Sequence, residues 1–211
     1  MKKNKIGIDI TDLSPSFYGG LDTYCVNLIK GFSKLKYNYH LVIFLNRKYY
    51  EKRKNDLIFK KNISYKIYEE KFFNLFIIKL YNRIFIPLSF LFFKFKYSID
   101  YFLRNLTQNN FKKLVEKNCD ILICPAVLLK HYNLNIPTLT NLHDIQHEHF
   151  KYFFSRSELL RRDLQYHNTA KYTSQMIASG PVMKRDFLRN FPFLKKKINL
   201  IYEGVDLNKF K

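Results

Sequence analysis

A chain of 211 residues with 47% hydrophobic side chains is long enough to bury a substantial core, which excludes a mainly disordered protein. Its 37 Lys and Arg against 17 Asp and Glu give a formal charge of +20, pointing to an anionic partner such as nucleic acid, a phosphorylated substrate or an anionic membrane surface. Part of that charge is compositional, because Lys, Asn, Ile, Phe and Tyr are abundant together while Trp is absent, and Cys25, Cys119 and Cys124 are too few and too unevenly spaced for a disulfide framework or a CxxC metal knuckle.

The segment Met1 to Asp9 carries lysines but runs straight into a strand-like IGIDI, without the apolar stretch and cleavage site of a signal peptide, so the expected location is the cytoplasm. A first strand is predicted over Ile6 to Ile10, followed by the loop Thr11 to Gly20 (TDLSPSFYGG). Leu21, Tyr24, Leu28, Phe32 and Leu35 then fall at steps of three and four and predict an amphipathic helix over 21–35. Strands follow at His40 to Leu45 and Ser64 to Tyr68. The most apolar stretch, Phe72 to Ile99, is interrupted by Lys79, Arg83, Lys94 and Lys96, which leaves no charge-free run of about 18 residues for a membrane span. It reads as a helix pair kinked near Pro87, either lying in the interface of an anionic bilayer or packing under a sheet.

Phe111, Leu114 and Val115 continue the helical spacing ahead of strands at Ile121 to Cys124 and Thr138 to Leu142. Residues 157–172 (SELLRRDLQYHNTAKY) read as a helix opened by a Ser cap. After a strand at Met176 to Ala178, Pro181 is placed to start a helix burying Met183, Phe187, Leu188 and Phe191, and a last strand at Ile198 to Ile201 leads to Glu203-Gly204-Val205-Asp206. Apolar strands alternating with helical segments predict an α/β domain of Rossmann-like type: an open, mostly parallel sheet with helices on both faces.

Two places carry candidate chemistry. The paired Gly19 and Gly20 allow close approach to the backbone, and the helix that follows offers free N–H groups to a phosphate; an ordinary tight turn has the same residues, and the GxGxxG fingerprint is missing. The run His143-Asp144-Ile145-Gln146-His147-Glu148-His149 gathers three imidazoles and two carboxylates. On a helix His143 and His147 would share a face, so His143, His147 and His149 form a candidate zinc set. The preceding PTLTNL instead places His143 at the C-terminal end of a strand, where open α/β sheets bind ligands and where Gly19 and Gly20 also lie. There His143 is suited to donate to a phosphate or sugar oxygen, and Asp144 either to orient it, to hold an acceptor hydroxyl, or simply to cap a helix.

The order of these motifs resembles the N-terminal, acceptor-side domain of the family 4 retaining glycosyltransferases of GT-B architecture. The matching pieces are IGID, GGLDTYCVNLIKGF, CDILICP, LTNLHDIQHEHF, ELLRRDLQYHNTAKYTSQMIAS and KINLIYEGVDLNKF, spanning Ile6 to Phe210, with residues 47–110 contributing little. The resemblance implies a hexosyltransferase domain over residues 1–202, with 203–211 beginning an interdomain linker. It implies a UDP- or GDP-linked sugar donor and a glycan or lipid-linked acceptor in cell-surface polysaccharide synthesis, and no cofactor or metal ion.

By motif, Gly19 and Gly20 correspond to the loop near the donor diphosphate and His143 to the active-site histidine, while Ser179 matches a further cleft position; Gly180 and Pro181 depart from the polar residues usual there. The family's Glu-x7-Glu pair and nucleotide pocket belong to a second, donor-binding domain that has no counterpart in these residues. The expectation is a fragment, a truncated product or one subunit of a split enzyme, inactive alone and completed by a separate donor-domain partner. It is expected to sit at the inner face of the membrane, docked through residues 72–99.

Two other readings stay open from the residues themselves: a basic nucleic-acid-binding α/β protein, and a zinc protein using the HDIQHEH cluster. Against the first, the pairs and triplets Arg47-Lys48, Lys52-Arg53-Lys54, Lys60-Lys61, Arg161-Arg162 and Lys195-Lys196-Lys197 are scattered over separate elements and read mostly as solvated faces, so no specific nucleic-acid partner is expected.

Overall fold

The computed structural model describes residues 4–14, 20–35, 38–55, 60–88, 91, 94–125, 128–141 and 143–204. Its strands are β1 (Asn4–Asp9), β2 (Tyr39–Leu45), β3 (Ile63–Ile67), β4 (Ile121–Cys124), β5 (Thr138–Asn141), β6 (Gln175–Ala178) and β7 (Ile198–Leu200). They form one sheet in the order β3-β2-β1-β4-β5-β6-β7, with every pairing parallel. Ile8 of β1 registers with Ile43 on one side and Ile123 on the other. The helices are α1 (Gly20–Lys34), α2 (Arg47–Arg53), α3 (Phe72–Leu80), α4 (Ile86–Leu88), α5 (Lys96–Thr107), α6 (Asn109–Asn118), α7 (Gln146–His149), α8 (Arg156–Tyr172) and α9 (Pro181–Asn190).

Both faces of the sheet are covered, which is why its central strands read as unbroken apolar runs. Along β2, Leu41, Ile43 and Leu45 join Cys25 and Ile29 of α1 and Tyr49 of α2 in one core cluster. Val42 and Phe44, pointing the other way, join Phe111 and Val115 of α6 in a second. On that second face Gly7 permits a close approach, since a Cβ there would lie 2.6 Å from Cys119 Sγ and 2.9 Å from a Phe44 ring carbon. A third cluster packs Phe187 of α9 and Ala170 of α8 onto Met176, Ala178 and Ile198.

Three sequence expectations shift in detail. The deepest stripe of α1 is Asp22, Cys25 and Ile29, flanked by the predicted Leu21, Tyr24, Leu28 and Phe32, while Leu35 is exposed. Asp22 enters the core because Tyr49 Oη and the Arg53 guanidinium both donate to it, at 2.5 Å each. Helix α8 starts at Arg156, capped by Ser155, whose hydroxyl accepts from the Glu158 N–H while the Glu158 carboxylate accepts from the Ser155 N–H. The kink near Pro87 is a π turn over Tyr81–Phe85, in which the Ile86 N–H reaches back to the Tyr81 carbonyl; Pro87 has no N–H to continue the regular ladder.

The stretch from Phe72 is part packed and part exposed. Tyr81 donates to Asp100 of α5 at 2.6 Å and Ile86 is buried, while Phe72 is 86% exposed and Phe73, Phe76, Leu80, Ile84 and Leu88 are exposed beside the exposed cations Lys79 and Arg83. Among the described residues no helix is long and apolar enough to cross a membrane.

Candidate active site at the carboxyl edge of the sheet

Because all pairings are parallel, the loops after β1, β4 and β5 open on the same edge, and the strand order reverses between β1 and β4. Residue 143 stands just beyond the end of β5. The His143 Nε2 lies 2.8 Å from the Pro125 carbonyl, which only accepts, so this nitrogen carries a proton. Its Nδ1 faces Glu203 Oε1 at 3.3 Å. The imidazole also meets the ring of Tyr24 edge-on, with centroids 5.0 Å apart. Tyr24 sits about one turn into α1 from Gly20, and its hydroxyl accepts from Asn141 Nδ2 at 3.1 Å. The helix that leaves the glycine turn and the imidazole at the strand end are therefore neighbours.

Gly20 is the first residue of α1, with open space where a Cβ would point. Gly19 lies outside the described residues, as does the linker from Val205 onward. Asp144 accepts from the Gln146 N–H at 3.1 Å, an Asx turn ahead of α7, whose N-cap is Ile145, and the carboxylate that meets the imidazole is Glu203. Asp144 and Ser179 line one shallow pocket of about 350 Å³, with His149 and Asp186. Ser179 precedes α9, whose first residue is Pro181, and its hydroxyl lies 3.5 Å from Met183 Sδ.

The three imidazoles of the HDIQHEH run part company. His143 turns to Pro125 and Glu203, His149 Nε2 pairs with Asp186 at 3.0 Å, and His147 is buried against the ring of Tyr166. His143 precedes α7 rather than sharing its face with His147. Burial holds the His147 imidazole below its ordinary pKa, and its Nδ1 has no hydrogen-bond partner. Among the described residues no group of three or more His, Cys, Asp or Glu is arranged to hold a metal ion. Burial also pushes the Cys25 and Cys119 thiols up to about 12, which leaves them poor nucleophiles.

The basic clusters are engaged at separate places: Arg47 with Glu69, Arg53 with Asp22, Arg162 over the Phe154 ring, and Lys197 with the carbonyls of Lys171 and Thr173. Arg161, read from sequence as a solvated cation, instead lines a cleft of about 340 Å³ with Arg104, Lys130 and Asp12. Sequence reading missed Glu203 as a partner of His143, Tyr24 as its ring neighbour, and the cleft cations; only Glu203 and Tyr24 fall in motifs already singled out.

Compared with known proteins, the chain is similar over 96% of its length to 46% of an apo lipopolysaccharide outer core galactosyltransferase, WaaB, at 15% identity and a TM-score of 0.46. It is similar over 95% of its length to 45% of a UDP-GlcNAc 2-epimerase from Methanocaldococcus jannaschii (12% identity, TM-score 0.45), and over 99% to 50% of the N-terminal domain of a Candida albicans trehalose-6-phosphate phosphatase (12%, 0.47). The chain thus spans about half the length of these structures. A comparison with curated proteins found no match. The family model for Glycosyltransferase Family 4 matches residues 18–209, from the glycine turn through the His143 strand end to the segment after β7, and the chain belongs to that family.

Proposed function

We propose that this chain forms the acceptor-side half of the active site of a retaining hexosyltransferase, which moves a sugar from a UDP- or GDP-linked donor to a glycan or lipid-linked acceptor in cell-surface polysaccharide synthesis. The domain runs over residues 1–202, and a donor-binding half carrying the Glu-x7-Glu pair, on the same polypeptide or another, completes the site. The observation that carries this reading is the clamp on His143 at the carboxyl end of β5, between Tyr24 of α1, the Pro125 carbonyl and Glu203.

In a retaining transfer the leaving diphosphate must be stabilised while the acceptor hydroxyl is held on the same face of the sugar. The free N–H groups at the start of α1, reached through Gly19 and Gly20, suit the diphosphate. His143 suits the sugar: Pro125 holds Nε2, and the 3.3 Å separation of Nδ1 from Glu203 is long for a hydrogen bond, so Nδ1 is open to a sugar hydroxyl at little cost. Asp144 and Ser179 line the neighbouring pocket, where an acceptor hydroxyl has room.

The exposed aromatic side chains of α3, followed by the exposed cations Lys79 and Arg83, support docking at the anionic inner face of the cell membrane. The test is turnover of nucleotide-sugar by this chain combined with its donor-binding half. The chain alone is expected to be inactive and the combination active, with His143→Ala lowering kcat by about 10²-fold or more. Wild-type turnover in the variant removes His143 from the mechanism.

A further inference from the structure

The crevice where the strand order reverses, between the loops after β1 and β4, holds a set of charges that the His143 clamp does not use. Asp12 follows β1 and Lys130 follows β4, and the two form an ion pair across it. The facing wall is built by α3, the π turn, α5 and α8, and it brings in Asp100, Arg104, Arg161 and Gln165.

Each charge has a definite state of engagement. Asp100 is 1% exposed and accepts from Tyr81 Oη at 2.6 Å, Tyr132 Oη at 3.0 Å and Asn168 Nδ2 at 2.7 Å, so its acceptor capacity is largely taken. Lys130 is held by Asp12. Among the described residues, neither Arg104 nor Arg161 lies in an ion pair. Arg104 Cζ lies 5.6 Å from the centroid of the Tyr132 ring, a cation–π contact, and among the described residues its N–H groups make no hydrogen bond. Gln165, 8% exposed, lines the same space, and among the described residues its amide has no hydrogen-bond partner. Two fork-shaped cations from different helices and the Gln165 side chain thus line one cleft whose remaining walls include the apolar Ile77, Ile78 and Leu128.

We infer that this cleft binds a phosphate or diphosphate group through Arg104, Arg161 and Gln165, and that the group belongs to the acceptor. Guanidinium forks match the oxygens of a phosphate in pairs, and two of them balance its double charge. A volume of about 340 Å³ accommodates a monosaccharide carrying that group. The apolar wall suits its carbon skeleton. Helix α3 lines the cleft with Ile77 and Ile78 while exposing Phe72 and Phe76, so a phosphate borne on a lipid can reach the site as readily as one on a soluble sugar. Naming the occupant as the acceptor rests on the transferase reading; the binding itself does not.

The experiment is titration of the 211-residue chain with inorganic pyrophosphate at physiological salt, followed by calorimetry. One-to-one binding is expected, weakened about 10-fold or more in Arg104→Gln and in Arg161→Gln, and unchanged in the surface control Lys195→Gln/Lys196→Gln. Binding by Arg161→Gln equal to wild type, or an equal loss in the control, overturns the site. Arg161 is free of ion pairs, so that variant carries the test even where loss of the Tyr132 contact unfolds Arg104→Gln. Glucose 1-phosphate and phosphatidic acid vesicles then compete with pyrophosphate. Displacement by the first marks a soluble acceptor and by the second a lipid-borne one, and displacement by neither overturns the assignment. No transfer is measured, so loss of turnover with the site intact, and loss of the site with turnover intact, are separable results.

Discussion

Tyr24 stands edge-on to His143, with ring centroids 5.0 Å apart and planes at 84°. One residue belongs to the helix entered through the glycine turn and the other to the strand end after β5, so this contact fixes the two candidate ligand-facing features relative to one another. The positive edge of one ring against the face of the other adds about 0.5–1.5 kcal/mol beyond area burial.

Tyr24→Phe keeps the ring and loses only the hydroxyl that Asn141 Nδ2 donates to; Asn141 Oδ1 is already buried without a partner. The expected cost of that variant is about 1–2 kcal/mol of stability, with the His143 ring signals little moved in NMR spectra. Tyr24→Ala removes the wall and is expected to shift and broaden those signals while the rest of the spectrum stays folded. Unchanged His143 signals in the alanine variant would show that Pro125 and Glu203 suffice to hold the ring.

The exposed face of α3 makes a second expectation concrete. Phe72, Phe73 and Phe76 are each more than half exposed, and no described contact covers them. Moving a Phe side chain from water into the acyl boundary contributes about 1.5–3 kcal/mol. Replacing all three by Ser is expected to lower flotation with vesicles containing phosphatidylglycerol at least about 100-fold, leaving the thermal midpoint nearly unchanged because none of the three is in the core. Equal flotation of the variant would assign binding to the diffuse +20 charge instead.

The strands were legible because burial on both faces of the central ones leaves nearly continuous apolar runs, and each of the seven lies within two residues of its predicted run at either end. Helix ends were less so. Two serines stand at the start of α8, Ser155 before it and Ser157 inside it, and only the reciprocal bonds of Ser155 and Glu158 mark Ser155 as the cap. His143 could be placed from the PTLTNL strand ahead of it, but its partners Pro125 and Glu203 lie 18 residues before it and 60 residues after it. The cleft had no local signature at all. Arg104, Lys130 and Arg161 come from α5, the loop after β4 and α8, and a lone cation on an amphipathic helix looks the same whether it faces water or a crevice.

His147 tests the metal reading from the side of stability. Its ring is 2% exposed, packed on Tyr166, with Nδ1 unpartnered, and burial depresses its pKa below 6.5. A depressed histidine means the unfolded chain binds the proton more readily, so this group costs stability as pH falls below 6.5. His147→Leu removes both the orphan nitrogen and that titration. The variant is expected to be as stable as wild type at pH 8 or more stable by about 1 kcal/mol, and to gain further on wild type as pH falls to 5. A loss of several kcal/mol together with loss of bound zinc would instead restore the imidazole as a ligand.

Asp9 carries the largest consequence of pH near the cleft. Burial pushes its carboxyl up to about 6, against the pull of the Lys130 ammonium, with a further push from Asp12 and the Thr11 hydrogen bonds acting downward. Between 3.8 and 6 the folded chain therefore holds a proton that the unfolded chain has released. Stability from this group is complete below 3.8 and is lost as pH rises through 6, amounting to about 3 kcal/mol at most. Asp9→Asn keeps an oxygen to accept from the Thr11 N–H and hydroxyl, as Asp9 Oδ1 does at 3.0 and 2.6 Å, but cannot ionise. Urea unfolding of the two proteins is expected to coincide near pH 4, to diverge between pH 4 and 6 in favour of the variant, and to keep that difference above pH 6. Other titrating groups are common to both, so the difference curve isolates Asp9, and a flat difference from pH 4 to 8 would place its titration elsewhere. The ionised carboxylate also tempers the field of Lys130, so the same variant is expected to bind pyrophosphate more tightly than wild type at pH 7.5 and equally at pH 4.5.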